Sequence, residues 1–263
     1  MKTYREREEE LFARWMQRCA EIDNINPDED FAYDGLLFRG DYKQVDGCWE
    51  RSPGNETELW DNASCRLLIL TKDTTRNGGL EDMRIETVRK NHTGNEIITA
   101  ASSFYRNLTL WSYALSNAVT GGVVTSYDDA PDWDELCEHY VNAPIARVNC
   151  KKQIGNSTVS DQVLKSHIER YSDYLLEQVT MYDADIILCC GSQSDNNVIR
   201  NFIEEYYLPD LERFSESGWV YFSKKTSKIV IDTFHPSCRK SSREMYDRMM
   251  EDLTDFLSSN SIG

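Results

Sequence analysis

Four stretches of the chain are apolar at almost every position and then turn polar. They span residues 65–73, 143–152, 183–191 and 228–237. Neighbouring side chains in a strand point to opposite faces of a sheet, so an unbroken apolar run of this length is typical of a strand buried on both faces. Because helical segments separate the runs, we predict an α/β fold with three α/β/α layers around a central four-stranded parallel sheet.

The rest of the chain divides into helices and one irregular stretch. Apolar residues at helical spacing predict helices at 3–22, 97–118, 159–181, 194–206 and 241–258. The last of these begins at a serine-rich cap. Asp, Asn, Gly and Pro are frequent at 24–64, which predicts an irregular wrapping segment. We expect one domain over 1–263, with an N-terminal helix and wrapping segment at 1–64 and an α/β core at 65–258.

The carboxyl ends of the predicted strands carry the candidate chemistry. In open α/β sheets, ligands bind outside these ends. The first run is followed by Asp73, the second contains Asn149 and the fourth contains His235. Taken singly, an Asp more often caps a helix, an Asn more often closes a turn and a histidine is more often structural. Their convergence on one edge of the sheet favours a shared functional site.

Charge is distributed unevenly along this sequence. The chain has 29 basic and 45 acidic residues, a net charge of -16. Proteins that coat DNA are usually basic, so this balance counts against such a role. Cations nevertheless follow three of the four strands, namely Lys72, Arg76, Lys151, Lys152, Arg239 and Lys240. This pattern predicts a locally basic rim that binds a phosphate-bearing ligand.

Membrane, metal and cofactor sites are not expected. Apolar runs stay well short of the roughly 20 residues that span a bilayer, and the charged start "MKTYREREEE" does not resemble a secretory signal. We therefore expect a cytoplasmic protein that does not bind membranes, and a monomer. The eight cysteines show no Cys-x-x-Cys spacing, so we expect reduced thiols, no metal site and no cofactor.

The order of the strand-end motifs resembles that of the uracil-DNA glycosylase superfamily. Four motifs follow one another over residues 65–240. They are a strand that ends near Asp73, a strand that ends in Asn149, "IILCCG" at 186–191 and "HPS" at 235–237. The family typically shows Gly-Gln-Asp-Pro-Tyr-His, Leu-Leu-Leu-Asn, Leu-Leu-Trp-Gly and His-Pro-Ser-Pro in that order. The resemblance implies a hydrolase, a DNA N-glycosylase that removes uracil or a related base from DNA in base-excision repair.

The resemblance also implies a role for each matching residue. Asp73 corresponds to the residue that positions the attacking water, and Asn149 to the one that reads the Watson–Crick edge of the extruded base. His235 corresponds to the histidine that hydrogen-bonds the base O2 as the glycosidic bond breaks. Ser237 corresponds to a serine that contacts a DNA phosphate.

The chemistry of the reaction independently fits these side chains. Cleavage of an N-glycosidic bond leaves a pyrimidine anion and an oxocarbenium-like sugar, so it needs a donor at the base oxygen and negative charge near the sugar. His235 and Asp73 suit these tasks, and an Asn offers the paired donor and acceptor that a base edge requires. Phe104, Tyr105 or Phe234 could supply an aromatic platform for the base.

The sequence also departs from the family pattern. Thr74, Cys190 and Cys238 replace a Pro, a Trp and a Pro of the motifs, and residues 239–242, Arg-Lys-Ser-Ser, offer no apolar wedge to fill the gap left by a flipped base. Polar residues with three glycines at 77–96 predict either a flap or a long surface loop.

Three hypotheses follow. The first is a glycosylase that acts on uracil or a related damaged base in DNA, with single-stranded or otherwise opened DNA as one form of its substrate. The second is a divergent member that binds nucleic acid or a protein without catalysis. The third is an unrelated α/β enzyme that acts on a nucleotide-like ligand or another small phosphorylated molecule.

Overall fold

The computed structural model describes most of the chain. The described residues are 2–74, 82–85, 87–90, 96–98, 103–121, 124–155, 158–192 and 196–260. The predicted phosphate ligand Arg76 and most of the 77–96 insert lie outside them.

The centre of the fold is a mixed sheet of seven strands. In spatial order they are β1 (Gly35–Leu36), β7 (Ile145–Asn149), β4 (Leu67–Thr71), β8 (Ile186–Gly191), β11 (Lys228–Phe234), β10 (Val220–Ser223) and β9 (Leu211–Arg213). The four predicted runs supply β7, β4, β8 and β11, which are neighbours and parallel. The predicted sheet has too few strands, because β1, β10 and β9 extend it on both sides as antiparallel strands.

Helices pack against both faces of this sheet. One face is covered by α4 (Ser103–Gly121), α5 (Trp133–Asn142) and α9 (Ser242–Ser259). The other is covered by α1 (Tyr4–Asp23), α6 (Asp161–Arg170), α7 (Ser172–Tyr182) and α8 (Val198–Phe202), which continues as a π-helical turn at Ile203–Tyr207. Alternate strand residues enter the two cores, as the pleat requires, so Cys190 lies in the first and Cys189 in the second.

The helix predictions are confirmed at the two ends of the chain and corrected between them. A capping box of Thr3 and Glu6 begins α1, and Ser241 caps α9 by accepting from the Glu244 N–H. The segment predicted as one helix at 159–181 is two helices that meet at Tyr171. The predicted start of the 97–118 helix is instead part of β6 (Glu96–Ile98), and α5 was not predicted.

The 24–64 segment is less irregular than predicted. It contains α2 (Pro27–Asp30), β1, β2 (Tyr42–Val45), β3 (Cys48–Arg51) and α3 (Glu56–Asp61). Strands β2 and β3 form a second sheet with β5 (Thr87–Lys90) and β6. Buried polar contacts hold the N-terminal segment to the core: the Glu8 carboxylate lies 2.9 Å from the Arg84 guanidinium and accepts from Tyr182 at 2.7 Å.

Among the described residues, no helix is both long enough and apolar enough to cross a bilayer. The seven cysteines whose side chains are described are free thiols.

Candidate functional site

The strand order creates a crevice at the carboxyl edge of the sheet. From β4 the chain continues to β7 on one side, whereas from β8 it continues to β11 on the other. The carboxyl ends of β4 and β8 therefore flank a topological switch point, where α/β proteins usually bind ligands. Asp73 follows β4, Asn149 ends β7 and His235 follows β11, so the three predicted residues belong to this same edge.

His235 is fixed by its backbone and by the two residues that follow it. Its N–H donates to the Gly191 carbonyl at the end of β8, at 3.1 Å. Asn107, buried on α4, donates to the Pro236 carbonyl at 2.6 Å. The Ser237 N–H donates to His235 Nδ1 at 3.3 Å, and the Ser237 hydroxyl lies 2.8 Å from the same nitrogen. These contacts orient the imidazole at the edge of the sheet.

The contacts of Nδ1 also determine which ring nitrogen carries the proton. Because Nδ1 accepts from the Ser237 N–H, a neutral ring holds its proton on Nε2. Burial, assisted by the positive charge of Lys72, lowers the pKa of His235 to about 4. At neutral pH the ring is therefore uncharged and has an Nε2–H. Among the described residues, this nitrogen has no hydrogen-bond partner.

Asn149 is buried, and the protein holds both its backbone and its side chain. Its N–H donates to Asp34 Oδ2 at 2.8 Å, and its Oδ1 accepts from the Thr71 hydroxyl at 2.5 Å. Its Nδ2 lies 2.8 Å from the thioether of Met83. Among the described residues, one lone pair of Oδ1 and one N–H of Nδ2 have no hydrogen-bond partner.

Arg147 and two aromatic rings connect Asn149 with His235. The guanidinium of Arg147, on β7, donates to the Met83 carbonyl at 3.2 Å and to the Tyr105 hydroxyl at 3.3 Å. It lies 5.9 Å from the ring centroid of Phe104. The Phe104 ring centroid in turn lies 5.6 Å from that of His235. Phe104 therefore lies next to His235, and base binding by Phe104 stays a prediction. Met83 contacts Asn149, and Arg147 lies next to Phe104; the sequence analysis singled out neither residue.

Asp73 is mostly buried and faces a lysine. Its carboxylate lies 3.7 Å from Lys151 Nζ, and its side chain is 9% exposed. Burial raises the pKa of Asp73, and the positive charge of Lys151 opposes that shift. Gly155 approaches the same carboxylate so closely that a Cβ there would lie 2.4 Å from Asp73 Oδ2. A larger residue at 155 would therefore displace the Asp73 side chain.

On the side of β4 and β7, the described lysines of the predicted basic rim are all paired with carboxylates. Lys72 Nζ forms an ion pair with Asp161 at 2.7 Å, and Lys151 is paired with Asp73. The prediction that Lys152 binds phosphate is wrong, because its ammonium is completely buried in an ion pair with Asp34. Burial lowers the pKa of Lys152, and Asp34 opposes this shift.

The predicted phosphate ligands that follow β11 have different surroundings. Arg239 and Lys240 are exposed, and within the described parts of the chain neither forms a salt bridge. Lys240 Nζ lies 4.9 Å from the ring centroid of Phe234, which also packs edge-on against Trp219 at 5.8 Å. Ser237 is exposed, although its hydroxyl contacts His235. Phosphate binding by these residues, and base binding by Phe234, stay predictions.

A buried carboxyl group near this edge was not predicted. Asp232, on β11, accepts from Asn197 at 2.5 Å and from Arg200 at 3.3 Å. Burial raises its pKa to about 7, although both hydrogen bonds favour the carboxylate. The sequence signal was an acidic residue inside an otherwise apolar strand.

The raised pKa of Asp232 makes stability depend on pH. Above its unfolded value of about 4, the unfolded chain loses this proton while the folded chain keeps it. The contribution of Asp232 to the unfolding free energy is therefore fully present below about pH 4 and is lost as pH rises through about 7. We expect the difference in unfolding free energy between the native protein and Asp232→Asn to fall by about 2 kcal/mol from pH 5 to 6.5.

Urea denaturation at several pH values measures this difference. Asp210→Asn is the control, because hydrogen bonds from Lys225 and Ser223 lower the pKa of Asp210, which is therefore ionised throughout this range. The difference in unfolding free energy between Asp210→Asn and the native protein should not change with pH. An equally flat profile for Asp232→Asn would contradict the raised pKa.

Comparisons with known proteins do not place the chain in a family. A scan against protein-family models finds no match, and a search of curated proteins finds no significant one. A function for this edge of the sheet must therefore follow from the residues that form it.

Proposed function

We propose that this chain is a hydrolase with a uracil-DNA glycosylase-like α/β/α fold, which cleaves the N-glycosidic bond of uracil or a related base in DNA. The observation that carries the proposal is the state of His235. Its Nδ1 accepts from Ser237, its pKa is lowered to about 4, and its Nε2–H is available at the switch-point edge of the sheet. A neutral donor fixed in this way suits an oxygen that becomes negative as a base departs.

The other residues of the edge have complementary tasks in the proposed reaction. A water adds to C1′ of the sugar, the C1′–N bond breaks, and the base leaves with the bonding electrons and takes up one proton. Asp73 would position this water and stabilise the positive sugar through its carboxylate. Asn149 would bind the base edge with its remaining donor and acceptor, next to the ring of Phe104.

Release of free uracil from a uracil-containing single strand tests the proposal. We expect the native protein to release the base and Asn149→Ala to do so at least about tenfold more slowly, because one hydrogen-bonded recognition group is lost. Thr71→Val is the matched control. It removes the hydroxyl that donates to Asn149 Oδ1 but keeps the amide itself.

The two variants distinguish base recognition by Asn149 from the positioning of Asn149 by the Thr71 hydroxyl. Thr71→Val should retain most of the activity, and both proteins should melt as single folded species. If the native protein releases no base from the strand, or if Asn149→Ala is as fast as the native protein, the proposed role of this edge is incorrect.

A further inference from the structure

Helix α4 carries a buried asparagine that bonds outside its own helix. Three polar side chains of α4 are buried, namely Asn107, Thr109 and Ser112. The hydroxyls of Thr109 and Ser112 donate to carbonyls of α4 itself, as Ser and Thr commonly do within helices. Asn107, which is 1% exposed, instead donates from Nδ2 to the Pro236 carbonyl at 2.6 Å, 129 residues away in sequence. A buried amide that bonds to another element has a role beyond helix formation.

The carbonyl that Asn107 contacts shares one peptide group with the N–H that contacts His235. The Pro236 carbonyl and the Ser237 N–H are the two polar ends of the same planar unit, and they point in opposite directions. Asn107 donates to the carbonyl, and the N–H donates to His235 Nδ1 at 3.3 Å. The position of Asn107 Nδ2 therefore restricts the direction in which the Ser237 N–H points.

Two groups of Ser237 lie against His235 Nδ1, and only one of them selects a tautomer. The hydroxyl, 2.8 Å from Nδ1, can donate to a bare nitrogen or accept from a protonated one, so it fits either form of the ring. The backbone N–H can only donate, so it fits only a ring with its proton on Nε2. The direction of the Ser237 N–H therefore decides which ring nitrogen carries the proton.

The peptide group between Asn107 and His235 is the centre of a tight turn. The Cys238 N–H donates to the His235 carbonyl at 2.8 Å, so a β-turn begins at His235 with Pro236 in its second position. Type I and type II turns differ by a rotation of this central peptide group by about 180°. Such a rotation would point the Ser237 N–H away from the imidazole. Pro236 is buried, so the rotation would also separate a buried carbonyl from the Asn107 donor.

We propose that Asn107 is a positioning residue that holds His235 in its Nε2–H form through this peptide group. Asn107 itself does not contact the substrate. Phe104, about one turn earlier on the same helix, lies against the imidazole, so α4 contacts both the ring and the turn that orients it. The hydrogen bonds stand on the geometry alone, whereas the use of the Nε2–H in base release rests on the proposed function.

Nitrogen-15 NMR of the imidazole rings at pH 7 measures the tautomer whether or not the protein is an enzyme. The chain has four histidines, and the His235 signals are those that disappear in His235→Ala. We expect the native His235 ring to be almost entirely in the Nε2–H form. Asn107→Leu removes the donor, and its apolar side chain excludes water. The ratio of the Nε2–H to the Nδ1–H form should therefore fall at least about fivefold, the effect of losing one hydrogen bond.

Thr109→Val is the matched control for the tautomer ratio. It removes a buried hydrogen bond from the same helix, but that bond ends on the Tyr105 carbonyl of α4 itself. The ratio should therefore stay native. Thermal melting establishes that each variant is folded. Asn107→Ala removes the same donor without apolar bulk, and it replaces Asn107→Leu if the latter does not fold.

Single-turnover base release from a uracil-containing single strand connects the tautomer with the proposed reaction. Asn107→Leu should lower the maximal rate at least about fivefold, because a donor used only in the transition state is less well aimed. The strand concentration that gives half of this rate should change little. A purely structural role would lower the melting temperature and leave the tautomer ratio unchanged.

The proposal is overturned if a folded Asn107 variant keeps the native ratio, if Thr109→Val lowers the ratio equally, or if native His235 carries its proton on Nδ1. An altered ratio with an unchanged maximal rate overturns it as well, because the reaction would not then depend on the tautomer. If the ratio falls as expected but no protein releases base, the positioning by Asn107 stands and the proposed hydrolysis is incorrect. If the ratio stays native and base is released, the hydrolysis stands without Asn107.

Discussion

Replacing His235 with alanine is expected to slow base release by roughly 30- to 900-fold, or about 2–4 kcal/mol of transition-state stabilisation, the usual cost of removing one donor from a developing oxyanion. The Nε2–H of the neutral ring is the donor that would be lost. Folding should be nearly unaffected, because the ring lies half-buried at the edge of the sheet and outside both cores. We expect a change in stability within about 1 kcal/mol.

The pH dependence of the reaction should reflect the same neutral ring. An unperturbed imidazole titrates near pH 6.5, but the pKa of His235 is lowered to about 4. The donor therefore persists through the neutral range and is disturbed only when Nδ1 becomes protonated, near pH 4. Between about pH 6.5 and 4 the unfolded chain binds the proton and the folded chain does not. The stability that this group contributes is consequently lost as pH falls through that window.

Single-turnover rates and melting temperatures of one variant decide whether His235 is catalytic. His139→Gln is a matched control, because that histidine lies on α5 and burial likewise lowers its pKa, but the proposed chemistry does not use it. A His235→Ala protein that melts normally and reacts as fast as the native one would remove the catalytic role. A lower melting temperature with unchanged turnover would make His235 structural.

Replacing Asp34 with alanine is expected to cost about 3–5 kcal/mol of unfolding free energy, because it leaves a buried ammonium without its counter-charge. The side chains of Asp34 and Lys152 are completely buried. Asp34 also accepts from Gln178 Nε2 at 3.0 Å and from the Asn149 N–H at 2.8 Å. The substitution would therefore leave three buried donors without this acceptor.

Equilibrium urea denaturation measures this loss of unfolding free energy, and two further variants serve as references for its size. Asp161→Ala breaks the Lys72 ion pair at a position where the acidic side chain is 49% exposed, so it should cost no more than about 1 kcal/mol. Asp34→Ala/Lys152→Met removes both charges and should recover part of the loss. If Asp34→Ala costs as little as Asp161→Ala, or the double variant is the least stable of the three, the folded state does not depend on Asp34 as the counter-charge of Lys152.

The cations at the strand ends show why the predicted rim was only partly correct. Sequence position places Lys72, Lys151 and Lys152 next to the ends of β4 and β7, but it does not say where their ammonium groups go. Their carboxylate partners are distant in sequence, by 89 residues for Lys72 and Asp161 and by 118 for Lys152 and Asp34. Pairs of this kind form only when helices and the N-terminal segment pack onto the sheet.

Local patterns determined the four central strands, the first and last helices, and the placement of Asp73, Asn149 and His235 at one edge. Strands buried on both faces require unbroken apolar runs, and helix caps are contacts between residues three positions apart. Tertiary structure alone decided the addition of β1 to the sheet, the neutralisation of three rim lysines, and the tautomer and lowered pKa of His235. The physical reason is that burial and long-range pairing, which set charge and protonation, depend on residues that approach each other only in the folded chain.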